Sequence, residues 1–517
     1  TKLLRKVLPA TVIVLGGPEV TYDAGSVLEA NPEVDYIVIG EGEKTFRMLI
    51  EALRQGKTGT GSGLAYRDCD GTLVNGEPQI IENLDLIPFP YTAADLENLK
   101  DKIIYYEASR GCPFTCQYCL SGDTRQVRFL SLQRVYSDLK IFLSHQVKQV
   151  KFVDRTFNAD REYFRSIIKY LSGQETDTNF HLEITADLLD DTDVNYLCNA
   201  PSGRLQLEIG VQSTYPPALA AVDRHHNWSK LAGNVKRLRA SGNLHLHLDL
   251  IVGLPYEGLS EFQKSFNEVY ALHPHLLQIG FLKLLKGCGL RAAAAAHDYV
   301  FMDRAPYEVL VNKYLSYENI RKLKIMANAF DYLYNSGKFD YSLEFFIKMF
   351  KGDAFAFYYA IADYWDQTGM TMIGHDVRSL TEFLLSFCRL HYPAKVKVID
   401  NFLRFDVLLG LRNAGGWPEL LSWNGSAWAD EKSKFWRSEE IVRKYLAGFR
   451  FTNWRDIKKK YHIEVFQLNI PEYLKPDNDR AGLARPAVLF DWTGRQTKYQ
   501  FLAKDDFNSE EVTADVL

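Results

Sequence analysis

Three cysteines in a short stretch carry the clearest chemical signal in this chain: Ala108-Ser109-Arg110-Gly111-Cys112-Pro113-Phe114-Thr115-Cys116-Gln117-Tyr118-Cys119 has C-x3-C-x2-C spacing. A loop of that length can wrap an iron–sulfur cubane and give one thiolate to each of three irons. The fourth iron then has no protein ligand, so a small molecule can chelate it. Two blander readings compete. Three cysteines could be half a zinc site, although no second Cys or His pair follows at zinc spacing, and they could be structural thiols. The other cysteines (Cys69, Cys198, Cys288, Cys388) are scattered, and seven is an odd number. That suits a metal site in a reducing compartment better than a disulfide scaffold.

Other polar groups fall at the ends of apolar runs. Phe152-Val153-Asp154-Arg155-Thr156-Phe157-Asn158 crowds polar side chains after a buried run, where a helix N-cap by Thr156 or Asn158 is the alternative to ligand contact. Glu208-Ile209-Gly210-Val211-Gln212-Ser213 offers a carboxylate able to accept two hydroxyl hydrogen bonds, or to pair with a basic group inside the fold. Asp249-Leu250-Ile251-Val252-Gly253-Leu254-Pro255 places a glycine where backbone could approach a ligand, or simply turn. Lys283 and Lys286 follow the next run and can meet a carboxylate or phosphate, or stay solvated.

The elements that must position these groups alternate strand and helix. Candidate strands are Ile103–Ala108, Gln149–Val153, His181–Ile184, Leu205–Ile209, His245–Val252 and Leu277–Leu282, with helical periodicity in segments such as Leu132–His145 and Trp228–Ser241. Six strands with five intervening helices predict a partial β/α barrel, with the polar segments at the strand C-termini where barrel sites form. Upstream, Thr11–Leu15 ends at Gly16-Gly17-Pro18 and Asp35–Ile39 ends at Gly40-Glu41-Gly42-Glu43, before an amphipathic helix over Thr45–Arg54. That is a parallel α/β pattern, its continuous apolar runs covered on both faces. Gly63–Arg67 and Thr72–Val74 predict a hairpin turning at Asp70-Gly71, and Ile87-Pro88-Phe89-Pro90 a linker. Beyond about Gly289, Tyr307–Asn335 and Ser379–Phe405 read as helical and Tyr461–Phe501 as strand-rich, turning at Trp492-Thr493-Gly494-Arg495.

The cysteine segment with these strand ends resembles the radical S-adenosylmethionine (SAM) superfamily. The resemblance implies that Cys112, Cys116 and Cys119 hold a 4Fe-4S cluster, that SAM chelates the open iron, and that one electron cleaves SAM to a deoxyadenosyl radical. It implies SAM contacts at Tyr118, Asp154, Thr156, Asn158, Glu208, Gln212, Gly253 and Leu254. Gly16, Gly17, Pro18, Glu19, Gly40, Glu41 and Gly42 resemble the last two strand ends of the cobalamin-binding Rossmann-like domain that precedes the barrel in one class of that superfamily. The family's upstream Asp-x-His-x-x-Gly element is absent; the chain opens on Thr1, and residues missing upstream or a subgroup binding cobalamin without a histidine ligand both account for it.

The expected fold is therefore α/β: a partial cobalamin-binding Rossmann-like domain (1–57), a linker with a hairpin (58–99), a partial (β/α)6 radical SAM barrel (100–290) and a mixed, mainly helical C-terminal accessory domain (291–517). The expected function is reductive SAM cleavage leading to cobalamin-dependent methyl transfer to an unactivated carbon of a small-molecule or peptide substrate, with a flavodoxin or ferredoxin as electron donor. Cobalamin-assisted or cobalamin-independent radical cyclisation or oxidation, and a non-catalytic iron–sulfur electron carrier, are the alternatives. At 61 basic against 65 acidic residues, the 517-residue chain gives no charge-driven grip on nucleic acid. It shows no bilayer-length apolar run or signal peptide, so a cytoplasmic location is expected.

Overall fold

The computed structural model describes residues 1–68, 70–121, 126–372, 374–412, 416–423, 427–475, 485–494 and 496–508. Cys69 and Arg495 lie outside the described residues. The chain forms two compact units, Thr1–Tyr317 and Glu318–Leu517.

The first unit opens with a four-stranded sheet in the order β1 (Val14–Gly16), β2 (Tyr36–Val38), β3 (Leu64–Arg67), β4 (Leu73–Asn75). β1 and β2 are parallel, and the hairpin β3–β4 continues the sheet antiparallel to β2. β1 is shorter than the apolar run that encodes it. The Asp35 carboxylate accepts the Ile13 N–H at 2.7 Å, so a side chain occupies the position where another ladder step would begin. The following helix covers Gly42–Arg54, three residues earlier than its periodicity suggested.

The second sheet has six parallel strands: β5 (Ile103–Tyr106), then, after the short ribbon strands β6 (Ser109–Arg110) and β7 (Arg128–Phe129), β8 (Gln149–Phe152), β9 (Asn179–Ile184), β10 (Leu205–Gln212), β11 (His245–Val252) and β12 (Leu276–Phe281). Their spatial order is β12-β11-β10-β9-β8-β5, so neighbours in sequence are neighbours in space apart from the ribbon. Helices Leu132–Ser144, Arg161–Ser172, Asp191–Cys198, Trp228–Ala240 and Leu259–Tyr270 make the crossovers. This is the open β/α architecture that the alternation predicts.

Alternation within each strand sorts the side chains onto two faces. Leu205, Leu207, Ile209 and Val211, like Leu246, Leu248, Leu250 and Val252, are buried against the helices. Each such side chain contributes roughly 1.5–3 kcal/mol. The opposite positions are polar along four strands: Gln149 and Lys151, Asn179, His181 and Glu183, Gln206, Glu208 and Gln212, His245, His247 and Asp249. The concave face of this half-barrel is therefore a polar lumen.

After β12 come β13 (Val300–Phe301) and β14 (Val309–Val311), paired antiparallel. The expected helix over Tyr307–Asn335 thus starts only at Tyr317. Asn312 stops it from starting earlier, because its side-chain oxygen accepts both the Tyr314 and Leu315 N–H groups in a turn.

In the second unit, helices Asp340–Met349, Ala354–Gln367, Val377–His391 and Val396–Gly410 pack before a three-stranded antiparallel sheet of β15 (Tyr461–Val465), β16 (Ala487–Asp491) and β17 (Lys498–Phe501). The expected continuous helical stretch Ser379–Phe405 is two helices, broken at Tyr392–Lys395 where Pro393 has no N–H to continue the ladder. Arg404, 2% exposed, sits between Asp400 (3.0 Å) and Glu464 (2.6 Å) and donates to the Asn401 side chain.

Candidate active site

The cysteine loop springs from the C-terminal end of β5 and returns through the ribbon β6–β7. Gly111 has φ +104°, and a Cβ there would run into the Gln126 carbonyl, so only glycine lets the two arms close. Asp154, from the end of β8, is buried and accepts from Ala108 N–H (3.0 Å) and Ser109 Oγ (2.5 Å). Burial pushes its carboxyl up to about 7 despite those donors. Both Asp154 oxygens are thus spent in fixing the approach to Cys112.

The two arms are also clamped from the N-terminal sheet. Arg110 and Arg128 are paired across the ribbon, one just before the cysteines and one after them. Arg128 donates both guanidinium nitrogens to Glu41 (2.5 and 3.0 Å) and one to the Ile81 carbonyl (2.6 Å). Arg110 reaches Glu41 at 3.3 Å and Glu43 and Glu107 at 2.7 Å. Burial pushes the Glu41 carboxyl up, but the Arg128 hydrogen bond, the Ile81 N–H and the Arg110 charge outweigh it and hold it low. Glu41 therefore ties the glycine-rich loop after β2 to both ends of the cysteine loop.

Cys112 and Cys116 are buried and Cys119 is half-buried. Thr156 Oγ1 lies 3.5 Å from Cys112 Sγ. Burial raises the Cys116 thiol, while Arg224 and Tyr118 facing its sulfur work in the opposite direction. Arg224 comes from the loop after β10, donates to the Gly210 carbonyl at 2.7 Å and lies over the Phe114 ring. Gln117 N–H donates to Val222 O and Gln117 O accepts from Leu290 N–H, which pins the middle of the loop. Three thiols on one loop, two of them buried, with a guanidinium beside one, form a donor set that fits a 4Fe-4S cluster with one iron left open.

The remaining sequence-predicted positions divide into rim, brace and interior. Gln212 closes β10 in a left-handed conformation (φ +71°), and Gly210 leaves room for its side chain. Asn158 braces strand ends, donating to Thr185 O and accepting Thr185 N–H, both at 2.9 Å. The Gly253 carbonyl accepts from Tyr299 (2.8 Å) and Asn312 (3.0 Å), and Leu254 is fully buried. Glu208 lies deeper, accepting from His181 at 2.7 Å and Lys151 at 3.0 Å. Burial raises its carboxyl, but those two donors prevail and bring it to about 2. At the N-terminal sheet, Gly16 and Gly17 at the end of β1 are exposed, whereas a Cβ on Gly40 would press on Pro78. Glu19 accepts from Tyr307 and lies 3.6 Å from Lys286, which also nears Asp23. Lys286 thus meets carboxylates of its own chain.

Sequence reasoning missed Arg224, the Glu41 clamp and the lumen ladder. Only the ladder left a signal: a polar residue at every second position of otherwise apolar strands, as in His245-Leu246-His247-Leu248-Asp249.

Comparison with known proteins agrees with this architecture. Residues 106–269 match the radical SAM superfamily, and residues 295–490 match a family described as a protein of unknown function (DUF4080). The chain is 26% identical over 346 residues to an uncharacterized methyltransferase, PH0819, of Pyrococcus horikoshii, covering 64% of this chain and 74% of that protein. It is 23% identical over 294 residues to the cobalamin-dependent radical SAM methyltransferase TokK of Streptomyces tokunonensis, covering 53% of this chain but only 43% of that one. Among solved structures, the cobalamin-dependent SAM radical enzyme OxsB with aqua-cobalamin bound superposes with a TM-score of 0.53 at 15% identity, over 78% of this chain and 68% of that one. The radical SAM methyltransferase TsrM of Kitasatospora setae gives 0.50 at 16% identity, over 57% and 60%. No described helix is long and apolar enough to cross a membrane. With the matched segment, the half-barrel and the cysteine loop at its mouth in agreement, residues 106–269 form a radical SAM domain, which implies a 4Fe-4S cluster and SAM, and the chain is an enzyme of that kind.

Proposed function

We propose that this chain is a cobalamin-dependent radical SAM methyltransferase acting on an unactivated carbon of a small-molecule or peptide substrate. The observation that carries the reading is the Glu41 clamp. A Rossmann-like sheet with glycine strand ends is bonded through Glu41 to both arms of the cysteine loop, so a cofactor on that sheet sits beside the loop's chemistry. The cofactors supply reductive cleavage of SAM to begin radical chemistry, and a methyl group carried on the corrinoid.

The protein's share is to hold and orient. We assign cluster ligation to Cys112, Cys116 and Cys119, with Arg224 beside Cys116 favouring its thiolate. Tyr118, Thr156, Gln212 and the Gly253–Leu254 turn form the SAM-facing rim, which Asp154 and Asn158 brace from behind. Gly16, Gly17 and Pro18 are the open edge assigned to the corrinoid. Resemblance to TokK, TsrM and OxsB, whose names state cobalamin or methyl transfer, supports the reading.

The test is anaerobic reconstitution with iron, sulfide and cobalamin, then incubation with SAM and a reductant. Deoxyadenosine and methionine formation together with a retained corrinoid absorbance is expected. SAM cleavage without corrinoid retention refutes the methyltransferase and leaves cobalamin-independent radical chemistry. An intact cluster that forms neither product sinks the enzymatic reading in favour of electron transfer.

A further inference from the structure

We propose that the half-barrel lumen holds a second metal site: a divalent transition-metal ion bound by His181 Nε2, a Glu208 carboxylate oxygen and His247 Nε2, with Asp249 as a further oxygen ligand. The three ligand atoms from His181, Glu208 and His247 lie within 4.8 Å of one another. They come from β9, β10 and β11, three adjacent strands. Glu208 is in register with His247, and His181 lies one lumen position lower, in register with Gln206. A tetrahedral ion with bonds near 2.1 Å needs ligand atoms roughly 3.4 Å apart, so closing the site takes about 1 Å of side-chain movement. Two imidazoles with one or two carboxylates suit Zn2+, Fe2+ or Co2+ rather than Mg2+ or Ca2+.

A self-contained hydrogen-bond network explains only half of this cluster. Glu208 is satisfied by His181 and Lys151. His247 Nε2 and Asp249 Oδ1 are 3.0 Å apart, yet both are buried with no hydrogen bond of acceptable geometry. Buried polar atoms rarely stay unsatisfied without a missing partner. A cation coordinated by both satisfies them, because it accepts electron pairs from nitrogen and oxygen alike, in place of the proton that an imidazolium–carboxylate pair would share. The charge balance points the same way: the Glu208, Asp249 and Glu183 carboxyls outnumber the Lys151 and Arg155 cations that act on them. By strand rise the ion would lie about 13 Å below Gln212, beneath the strand ends rather than on the cysteine loop. Four protein ligands close a tetrahedral shell, so the ion would tie β9, β10 and β11 together at the base of the lumen. The inference does not depend on methyl transfer or on cobalamin.

Cobalt(II) titration of the cluster-free full chain tests it, run in parallel on the Cys112→Ser/Cys116→Ser/Cys119→Ser chain to silence thiolate binding. One equivalent of Co2+ should remain bound to the triple variant, with ligand-field bands in the visible and no thiolate charge transfer. His247→Gln and Glu208→Gln should each weaken that binding at least tenfold. Lys151→Met should tighten it, a gain that misfolding cannot produce. Absence of Co2+ binding once the thiolates are removed overturns the site. So does binding that His247→Gln and Glu208→Gln leave within threefold of the parent.

Discussion

Glu41→Gln is the perturbation whose consequence the structure defines most closely. Arg128 has a side chain only 6% exposed, and Glu41 one 17% exposed. Removing one partner of a fully buried ion pair costs about 3–5 kcal/mol, because the other charge is left without compensation. Here the glutamine oxygen still accepts one hydrogen bond, Arg128 keeps the Ile81 carbonyl, and part of Glu41 is wet. A cost of about 2 kcal/mol follows, and since 1.4 kcal/mol is tenfold, the loop should open roughly 30 times more often. Amide hydrogen exchange on the cluster-free chain reads that opening at Arg110, Arg128 and Leu130, whose backbone groups close the ribbon and the base of the loop. Glu43→Gln is the control. Its ion pair with Arg110 is on the more exposed side of the clamp, 37% exposed at Glu43, and such pairs contribute about 0–1 kcal/mol. Exchange within threefold of the parent in Glu41→Gln, or an equal effect from Glu43→Gln, would show that the clamp does not hold the loop.

Cys116→Ala should leave far-UV circular dichroism unchanged while iron and sulfide fall to background after reconstitution; a full cluster complement would remove the triplet from the ligand set. Asp154 gives a pH dependence: its native carboxyl sits at about 7 against 3.8, so its contribution to stability is complete below about pH 4 and is lost as pH rises to 7. At 1.36 kcal/mol per unit the ceiling is about 4 kcal/mol, and Asp154→Asn should flatten the fall in urea midpoint between pH 5 and 8. In the second unit, Arg404→Met leaves the buried Asp400 without its guanidinium and Glu464 with only His462 and the Lys432 charge, and should destabilise that unit by about 3 kcal/mol, read from the urea midpoint of its tryptophan fluorescence. An unchanged midpoint would show that the charges are compensated elsewhere.

By itself, the amino-acid sequence determined the alternating architecture and the cysteine loop. A parallel strand buried on its helix side must be apolar at every second position at least, and a crossover needs a dozen residues of helical period, so six strands and five helices were countable. The loop was legible because its ligands are close in sequence. Tertiary structure alone decided which polar residues meet. Glu41 and Arg128 are 87 positions apart, and Arg224 reaches Cys116 from a loop beyond β10, so no local spacing encodes either contact. It also turned Asp154 and Asn158 into braces and Glu208 into an interior group, because strand register, which depends on long-range pairing, sets whether a polar side chain lies at the barrel rim or inside it. The helix boundaries near Tyr317 and Tyr392 followed from turn hydrogen bonds at Asn312 and a missing N–H at Pro393, local effects that a helical period does not register. The C-x3-C-x2-C loop was readable in the chain, and its clamp and the polar lumen beneath it exist only once the strands are assembled.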